Sequence, residues 1–289
     1  MKKTIILLLI IAAQLFAQDP GSGSSFFNLY KGSAAGGSGG GGTPSYTPID
    51  PATLSPTEWY NENEHTTSGS QTWGDVLSTD VLGDGAAWGG KLSDTQNGLA
   101  TWGVPAFGYV GGFRTVDADR LSILASGNPL TFFIVAKHTT DIGTKTNQYV
   151  LDVSTTQSNY SGRIIFRWTN FQPDFTVGDN TNWVSAVIPD INVSDGTWRI
   201  YACQFEQATN DVSITLWASG NKKATNTGSS WTTRDYDTGT NGGDVFGEVA
   251  YGCEYTWLGE IIWFGNKVLT EEQINGVATW LSQKWDVAW

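Results

Sequence analysis

The residues best placed to do chemistry in this chain of 289 residues are carboxylates that recur in pairs. Two carboxylates on one face can together attack and protonate a glycosidic bond. On a strand this needs alternate positions, because successive side chains point to opposite faces. Glu62 and Glu64 have that spacing, but "NENEHTTSGS" around them reads as a loop. Asp117 and Asp119 sit in a turn before Leu121, and Asp235 and Asp237 flank Tyr236 in "TTRDYDTG", another loop. Glu248 and Glu254 stand six residues apart, as do Glu254 and Glu260. Exposed carboxylates are the rule, so each pair is expected on solvated surface. The chain has no nucleophile elbow, phosphate loop or metalloprotease helix. His65 and His138 have no ligand spacing around them. No catalytic residue is assigned, and the reading favours a protein without enzymatic chemistry.

Binding chemistry has more candidates. The chain carries 14 Trp. Trp59, Trp198, Trp217, Trp263 and Trp285 fall in strand or helix patterns and are expected to pack. Trp88, Trp102, Trp183 and Trp231 lie beside turn residues, and Tyr236 sits in an acidic loop. These five are the candidate ligand platforms. Two loops are rich in oxygen, "VGDNTN" (Val177 to Asn182) and "RDYDTGTNGGD" (Arg234 to Asp244). A calcium ion takes six to eight oxygens, about two or more from carboxylates. Asp179, Asp235 and Asp237 are therefore the candidate metal ligands, although Asp and Asn in β-loops commonly just build turns. Cys203 and Cys253 can form one disulfide in an exported chain, but spacing does not say whether they meet. The formal charge of -12 repels phosphate backbones and anionic membrane surfaces, which argues against nucleic acid and lipid partners.

These residues need elements to position them. Lys2 and Lys3, the apolar run Ile5 to Ala13 and a small residue at Ala17 read as a signal peptide over 1–17. That run is shorter than the ~20 residues a bilayer span takes, so no membrane insertion is expected once it is cleaved. Residues 18–47 contain "GSAAGGSGGGG" (Gly32 to Gly42) and read as a flexible Gly/Ser-rich linker. Residues 48–289 are enough for one sizeable core. Alternating and continuous apolar runs predict strands at Leu130 to His138, Gln148 to Val153, Gly162 to Trp168, Asp174 to Gly178, Thr197 to Glu206, Val212 to Gly220 and Tyr255 to Gly265. In the fifth of these, Trp198, Ile200 and Ala202 share one face and Tyr201, Cys203 and Phe205 the other. Apolar residues on both faces predict an inner strand. A helix then starts at Thr270, with Gln273 placed for a capping box. Ile274, Val277, Ala278, Leu281 and Trp285 form one apolar stripe that must lie against a sheet.

The order of these segments resembles the concanavalin A-like lectin/glucanase superfamily, in particular its laminin-G-like jelly rolls. "LSPTEWYNENE" (Leu54 to Glu64) is similar to the family's opening strand. "FRTVDADRLSILASGNPLTFFIVAK" (Phe113 to Lys137) and "DGTWRIYACQFEQATNDVSITLWASG" (Asp195 to Gly220) are similar to its central segments. "LGEIIWFGNKVLTEEQINGVATWLSQKW" (Leu258 to Trp285) is similar to its closing strand and helix. The resemblance implies an all-β, two-sheet antiparallel jelly-roll sandwich with one short C-terminal α-helix. It also implies a binding module for a glycan or polysaccharide, in some members with a Ca²⁺ ion at the rim. The superfamily's glycosidases carry a Glu-x-Asp-x-Glu run, which this sequence lacks. The expected function is a secreted or surface-exposed carbohydrate-binding or adhesion module. A structural or protein-interaction jelly roll with a surface protein partner is the alternative, and a glycoside hydrolase ranks behind both.

Overall fold

Leu130–His138 is apolar on both faces, and that requirement explains the layers around it. In a computed structural model, this strand and its hydrogen-bonded neighbours are covered by a second sheet on one side and by a helix on the other. The structure describes residues 46–66, 72–77, 81–84, 91–103, 113–115, 128–139, 147–154, 163–179, 182–231, 244–245 and 255–289. The signal peptide and nearly all of the linker read from the sequence lie outside them.

The early strands are β1 (Glu58–Thr66), β2 (Thr72–Asp75), β3 (Val81–Asp84), β4 (Lys91–Gln96), β5 (Leu99–Gly103) and β6 (Phe113–Thr115). The middle strands are β7 (Leu130–His138), β8 (Asn147–Ser154), β9 (Arg163–Thr169), β10 (Gln172–Gly178) and β11 (Trp183–Val187). β12 (Arg199–Ala208), β13 (Asp211–Ala218), β14 (Lys222–Gly228), β15 (Asp244–Val245) and β16 (Thr256–Gly265) follow, then α1 (Glu271–Trp285). The pairing is antiparallel and runs β11-β10-β9-β8-β15-β6-β3-β2-β1-β16-β7-β12-β13-β14, with β5 added to β16 and β4 to β5. The two ends of this path come together. Asn226 on β14 donates its side-chain amide to the Ser185 carbonyl on β11 at 2.8 Å. The result is a two-sheet antiparallel jelly-roll sandwich with one C-terminal helix.

Between the sheets lies one core, containing Phe132, Ile134, Phe166, Phe175, Tyr201, Cys203, Phe205 and Trp263. The other core lies under α1, with Phe133, Val135, Ile200, Ala202, Ile262 and Phe264 from the sheet and Ile274, Val277, Ala278, Leu281 and Trp285 from the helix. The two faces expected for β12 thus fall into the two cores. All five Trp residues expected to pack are buried.

The helix is set down at a fixed place. Gln204 on β12 donates to Thr131 Oγ1 at 3.2 Å and to the Leu269 carbonyl at 2.8 Å, tying the β16–α1 turn to the sheet. Thr270 Oγ1 accepts from the Gln273 N–H and Gln273 Oε1 accepts from the Thr270 N–H, which closes the capping box. Upstream, the Ile49 N–H donates to the Gly276 carbonyl at 2.9 Å, so the start of the described chain docks on the helix.

One polar link crosses the main core. Trp168 Nε1 on β9 donates to Thr256 Oγ1 at 3.0 Å, and that hydroxyl lies 3.1 Å from His138 Nδ1 on β7. The hydroxyl can donate to His138 Nδ1 or accept from it, according to the ring's tautomer. Burial holds the His138 pKa down to about 4, against a hydrogen bond to the Tyr255 backbone that raises it. The unfolded chain therefore takes up this proton between about pH 6.5 and 4 while the folded chain does not. Stability from this group is complete above the unfolded value and is lost as pH falls through that window. The expected loss is about 3 kcal/mol by pH 4. Denaturant titrations at pH 7 and pH 4 should show that the fall in stability is smaller in His138→Gln by about that amount. Equal falls in both proteins would contradict the assignment.

Candidate functional site

Three strands of the second sheet carry the candidate surface. Their core-facing residues are Ile164, Phe166 and Trp168 on β9, Phe175 and Val177 on β10, and Val184 and Ala186 on β11. Alternation then sends the intervening residues to the other face. The cross-strand register lines them up in rows: Arg167, Asp174 and Val187; Ile165, Thr176 and Ser185; then Gly178 beside Trp183.

This face is closed over most of β9 and β10, where Ile165 and Gly178 are buried, and opens at β11. Asp174 and Thr176 are buried, Ser185 and Arg167 are half-buried, and Trp183 is 39% exposed. Asp174 organises the closed end. It accepts from Arg167 Nε at 2.8 Å, from Thr169 Oγ1 at 3.0 Å and from Thr176 Oγ1 at 2.8 Å. Thr176 Oγ1 in turn lies 2.6 Å from Ser185 Oγ. A buried carboxylate with three donors holds each of them in one orientation, so the Arg167 guanidinium plane is set in advance. The open end depends on a missing side chain. A Cβ at Gly178 would stand 3.3 Å from several Trp183 ring atoms, so glycine lets the indole lie close over the β10 backbone. The ring stays 39% exposed at the edge of a polar row. That combination suits a ligand with an apolar face edged by hydroxyls.

Asp179 does not act as an open ligand here. It is buried, and it accepts from the Asn182 N–H at 2.6 Å and from Asn182 Nδ2 at 3.2 Å. The same Asn182 amide reaches the Ser230 carbonyl at 3.3 Å. These bonds shape the loop that enters β11, the ordinary work of Asp and Asn in turns. Asp235 and Asp237 lie outside the described residues, and no group of three potential metal ligands occurs among the described ones.

The other expected platforms separate. Trp231 is a correction: it is 2% exposed and packed in the inter-sheet core, so its ring has no free face. Its turn-rich neighbours Ser229 and Ser230 gave no sign that the indole folds inward. Trp102 belongs to β5, where its backbone pairs with Leu258, and its side chain is outside the description. Trp88 and Tyr236 lie outside the described residues. Cys203 is a buried, free thiol among the described residues, its pKa pushed well up by burial, and Cys253 lies outside them. Arg167, Asp174, Thr176 and Ser185 escaped the sequence reading. The signal was present in "GRIIFRW" and "DFTVG", whose polar positions alternate with core residues.

The carboxylate pairs also change. Glu62 and Glu64 belong to β1 and not to a loop. Glu62 meets Glu260 of β16 across Lys284 of α1, whose Nζ lies 2.8 Å from Glu62 and 3.0 Å from Glu260. Glu260 also accepts from the Trp59 and Trp285 indoles, each at 2.5 Å. A bulge at Gly259 makes this possible. It shifts the alternation of β16 so that Glu260 faces the helix, and a Cβ there would stand 2.7 Å from the Trp285 ring. Burial pushes the Glu260 pKa up, and Lys284 opposes the rise. Burial alone would lower the Lys284 pKa, but the two carboxylates hold it above its ordinary value. Both Glu260 oxygens are occupied, so this pair clamps the helix to the sheet and offers no open acid or base. Asp117, Asp119, Glu248 and Glu254 lie outside the described residues.

Comparisons with known proteins give likenesses of fold alone. No protein-family model matches the sequence, and no curated protein sequence matches it. Among solved structures, a Trypanosoma rangeli sialidase in complex with 2,3-difluoro-KDN matches with a TM-score of 0.53 and 11% identity, covering 84% of this chain and 37% of that one. The chain thus spans little more than a third of that sialidase. A carbohydrate-binding module (CBM40) of the Ruminococcus gnavus IT-sialidase, bound to α2,6 sialyllactose, matches with a TM-score of 0.43 and 13% identity, covering 58% of this chain and 92% of that one. The botulinum neurotoxin serotype G binding domain matches with a TM-score of 0.47 and 8% identity, covering 79% and 51% respectively. At 11% identity the sialidase match is a likeness of fold alone.

Replacing Lys284 by Met would leave Glu260 and Glu62 without their shared cation. Removing one partner of a buried ion pair should destabilise the fold by about 3–5 kcal/mol, measured from urea unfolding midpoints. A change below about 1 kcal/mol would mean that the cluster does not clamp the helix.

Proposed function

We propose that the chain is a non-catalytic carbohydrate-binding module of laminin-G-like type, exported by its N-terminal segment and working outside the cell in recognition or adhesion. The observation that carries this reading is the Trp183 ring, seated on Gly178 and exposed beside the row of Ser185, Thr176, Asp174 and Arg167. A pyranose ring laid on the indole places its C–H face on carbon and its hydroxyl edge toward oxygen and nitrogen groups. Asp174 holds the polar row in place, which lowers the ordering cost of binding.

Two substitutions separate a platform from a core residue. Trp183→Ala should weaken glycan binding about tenfold or more while leaving stability nearly unchanged. Trp231→Ala should cost about 3–5 kcal/mol of stability, as large-to-small changes of buried aromatics do. The assay is saturation binding of the full chain to a panel of polysaccharides and oligosaccharides, in Ca²⁺ and again in EDTA. Binding lost in EDTA would put a calcium ion at the site, and equal binding in both arms would make recognition independent of it. Absence of saturable binding across the panel would remove the lectin reading and leave the protein-interaction jelly roll. Binding that Trp183→Ala does not weaken would move the site elsewhere on the domain.

A further inference from the structure

The loop between β11 and β12 contains "DINVS", Asp190 to Ser194. Asn-x-Ser with a residue other than proline in the middle is the acceptor pattern for asparagine-linked glycan. Such matches are common by chance, so the structural context decides. Here the loop sorts its residues sharply. Ile188, Ile191 and Val193 are buried at 3%, 6% and 1% exposure. The Val193 N–H donates to the Phe171 carbonyl at 2.8 Å, and the Ile188 N–H donates to the Pro173 carbonyl at 3.2 Å. Those anchors turn Asp190 and Asn192 to solvent.

The geometry at Asn192 is specific. Its Oδ1 accepts from Ser194 Oγ at 2.7 Å and from the Ser194 N–H at 3.0 Å. Its Nδ2 makes no hydrogen bond among the described residues. Two donors on the amide oxygen draw charge from the nitrogen and make the Nδ2–H more acidic. That proton is the one an acceptor must lose. Asp190, two residues before the asparagine, has a side chain 71% exposed and a loose contact with Lys222 at 3.4 Å. It adds an exposed negative charge beside the acceptor for a transferase to read.

We propose that Asn192 is an acceptor for an asparagine-linked oligosaccharide, with Ser194 activating the amide and Asp190 contributing to recognition. The donor is an oligosaccharide linked through its anomeric carbon to a lipid pyrophosphate. Asn192 Nδ2 attacks that carbon and a C–N bond forms. The C–O bond to the pyrophosphate breaks, and the electron pair leaves with the lipid pyrophosphate. One Nδ2 proton passes to a base of the transferase, and nothing is oxidised or reduced. The inference rests on export of the chain and is independent of the glycan-binding reading.

The test is export of the full chain in bacterial cells that carry an oligosaccharyltransferase and its lipid-linked glycan, followed by intact mass and peptide mapping. The expected result is a mass increase of one glycan, located on the peptide containing Asn192. It should be abolished by Asn192→Gln and by Ser194→Ala, and reduced severalfold by Asp190→Ala. Asp190 and Asn192 are exposed and Ser194 is half-buried, and thermal unfolding of each variant shows that it still folds. A second Asn-x-Ser, Asn159-Tyr160-Ser161, has Gln157 at the position matching Asp190 and lies outside the described residues. A glycan retained in Asn192→Gln would overturn the proposal. So would an unmodified chain in cells that modify a co-expressed carrier bearing the same five residues, or modification of the heat-unfolded chain alone.

Discussion

A strand that is apolar on both faces has to be covered twice, and this constraint organises the molecule. β7, β12 and β16 send Phe132, Tyr201 and Trp263 one way and Phe133, Ile200 and Ile262 the other. A single second sheet can cover only one of those faces. The helix exists to cover the other, and its five buried apolar side chains gain about 1.5–3 kcal/mol each where they are large. The helix is short, so its own hydrogen bonds would hold it poorly in water. Its position comes from the sheet, through the Gln204 bonds to the β16–α1 turn and the Glu260 clamp near its C-terminal end.

The clamp shows how the fold uses charge. Glu260 is fully enclosed, and an isolated carboxylate there would be very costly. Two indole N–H groups and one ammonium surround it, while Glu62 takes the other side of Lys284. Such a cluster adds little net stability over an apolar replacement but penalises any arrangement that separates its members. It therefore fixes where α1 sits. Its geometry also explains why a pair of glutamates brought together by folding does no acid–base work. A general acid needs an oxygen open to substrate, and both oxygens of Glu260 are taken.

The parts of this design that could be read from sequence are those that follow from local period. β12 showed both of its apolar faces, and the helix showed its cap and stripe, because each signal lies within a few residues. β14, "KKATNTG", has no apolar period at all. It is an edge strand whose lysines and threonines face solvent, so nothing in its composition marks it as a strand. Glu62 was hidden for another reason. Its partner Lys284 is 222 positions away on α1, and only the packing of the helix on the sheet brings the two together. Trp183 and Trp231 looked alike beside their turns, yet one is open and the other enclosed. Their difference is tertiary: the Trp231 N–H is tied back to the Asn210 carbonyl, which carries its ring into the core.

The candidate surface and the core are two readings of the same strands. In "DFTVG" the odd positions build the face that Asp174, Thr176 and Gly178 share, and the even positions put Phe175 and Val177 into the core. Stability is supplied from one side of β10, which leaves the other side free to specialise. That side could not remain a set of unlinked polar groups, because Asp174 and Thr176 are buried and each needs partners. Linking Asp174 to Arg167, Thr169 and Thr176 meets this need and fixes the same groups in space. Preorganisation at the surface thus follows from hydrogen-bond satisfaction beneath it. Gly178 completes the arrangement by removing the one side chain that would lift the Trp183 ring away from the row.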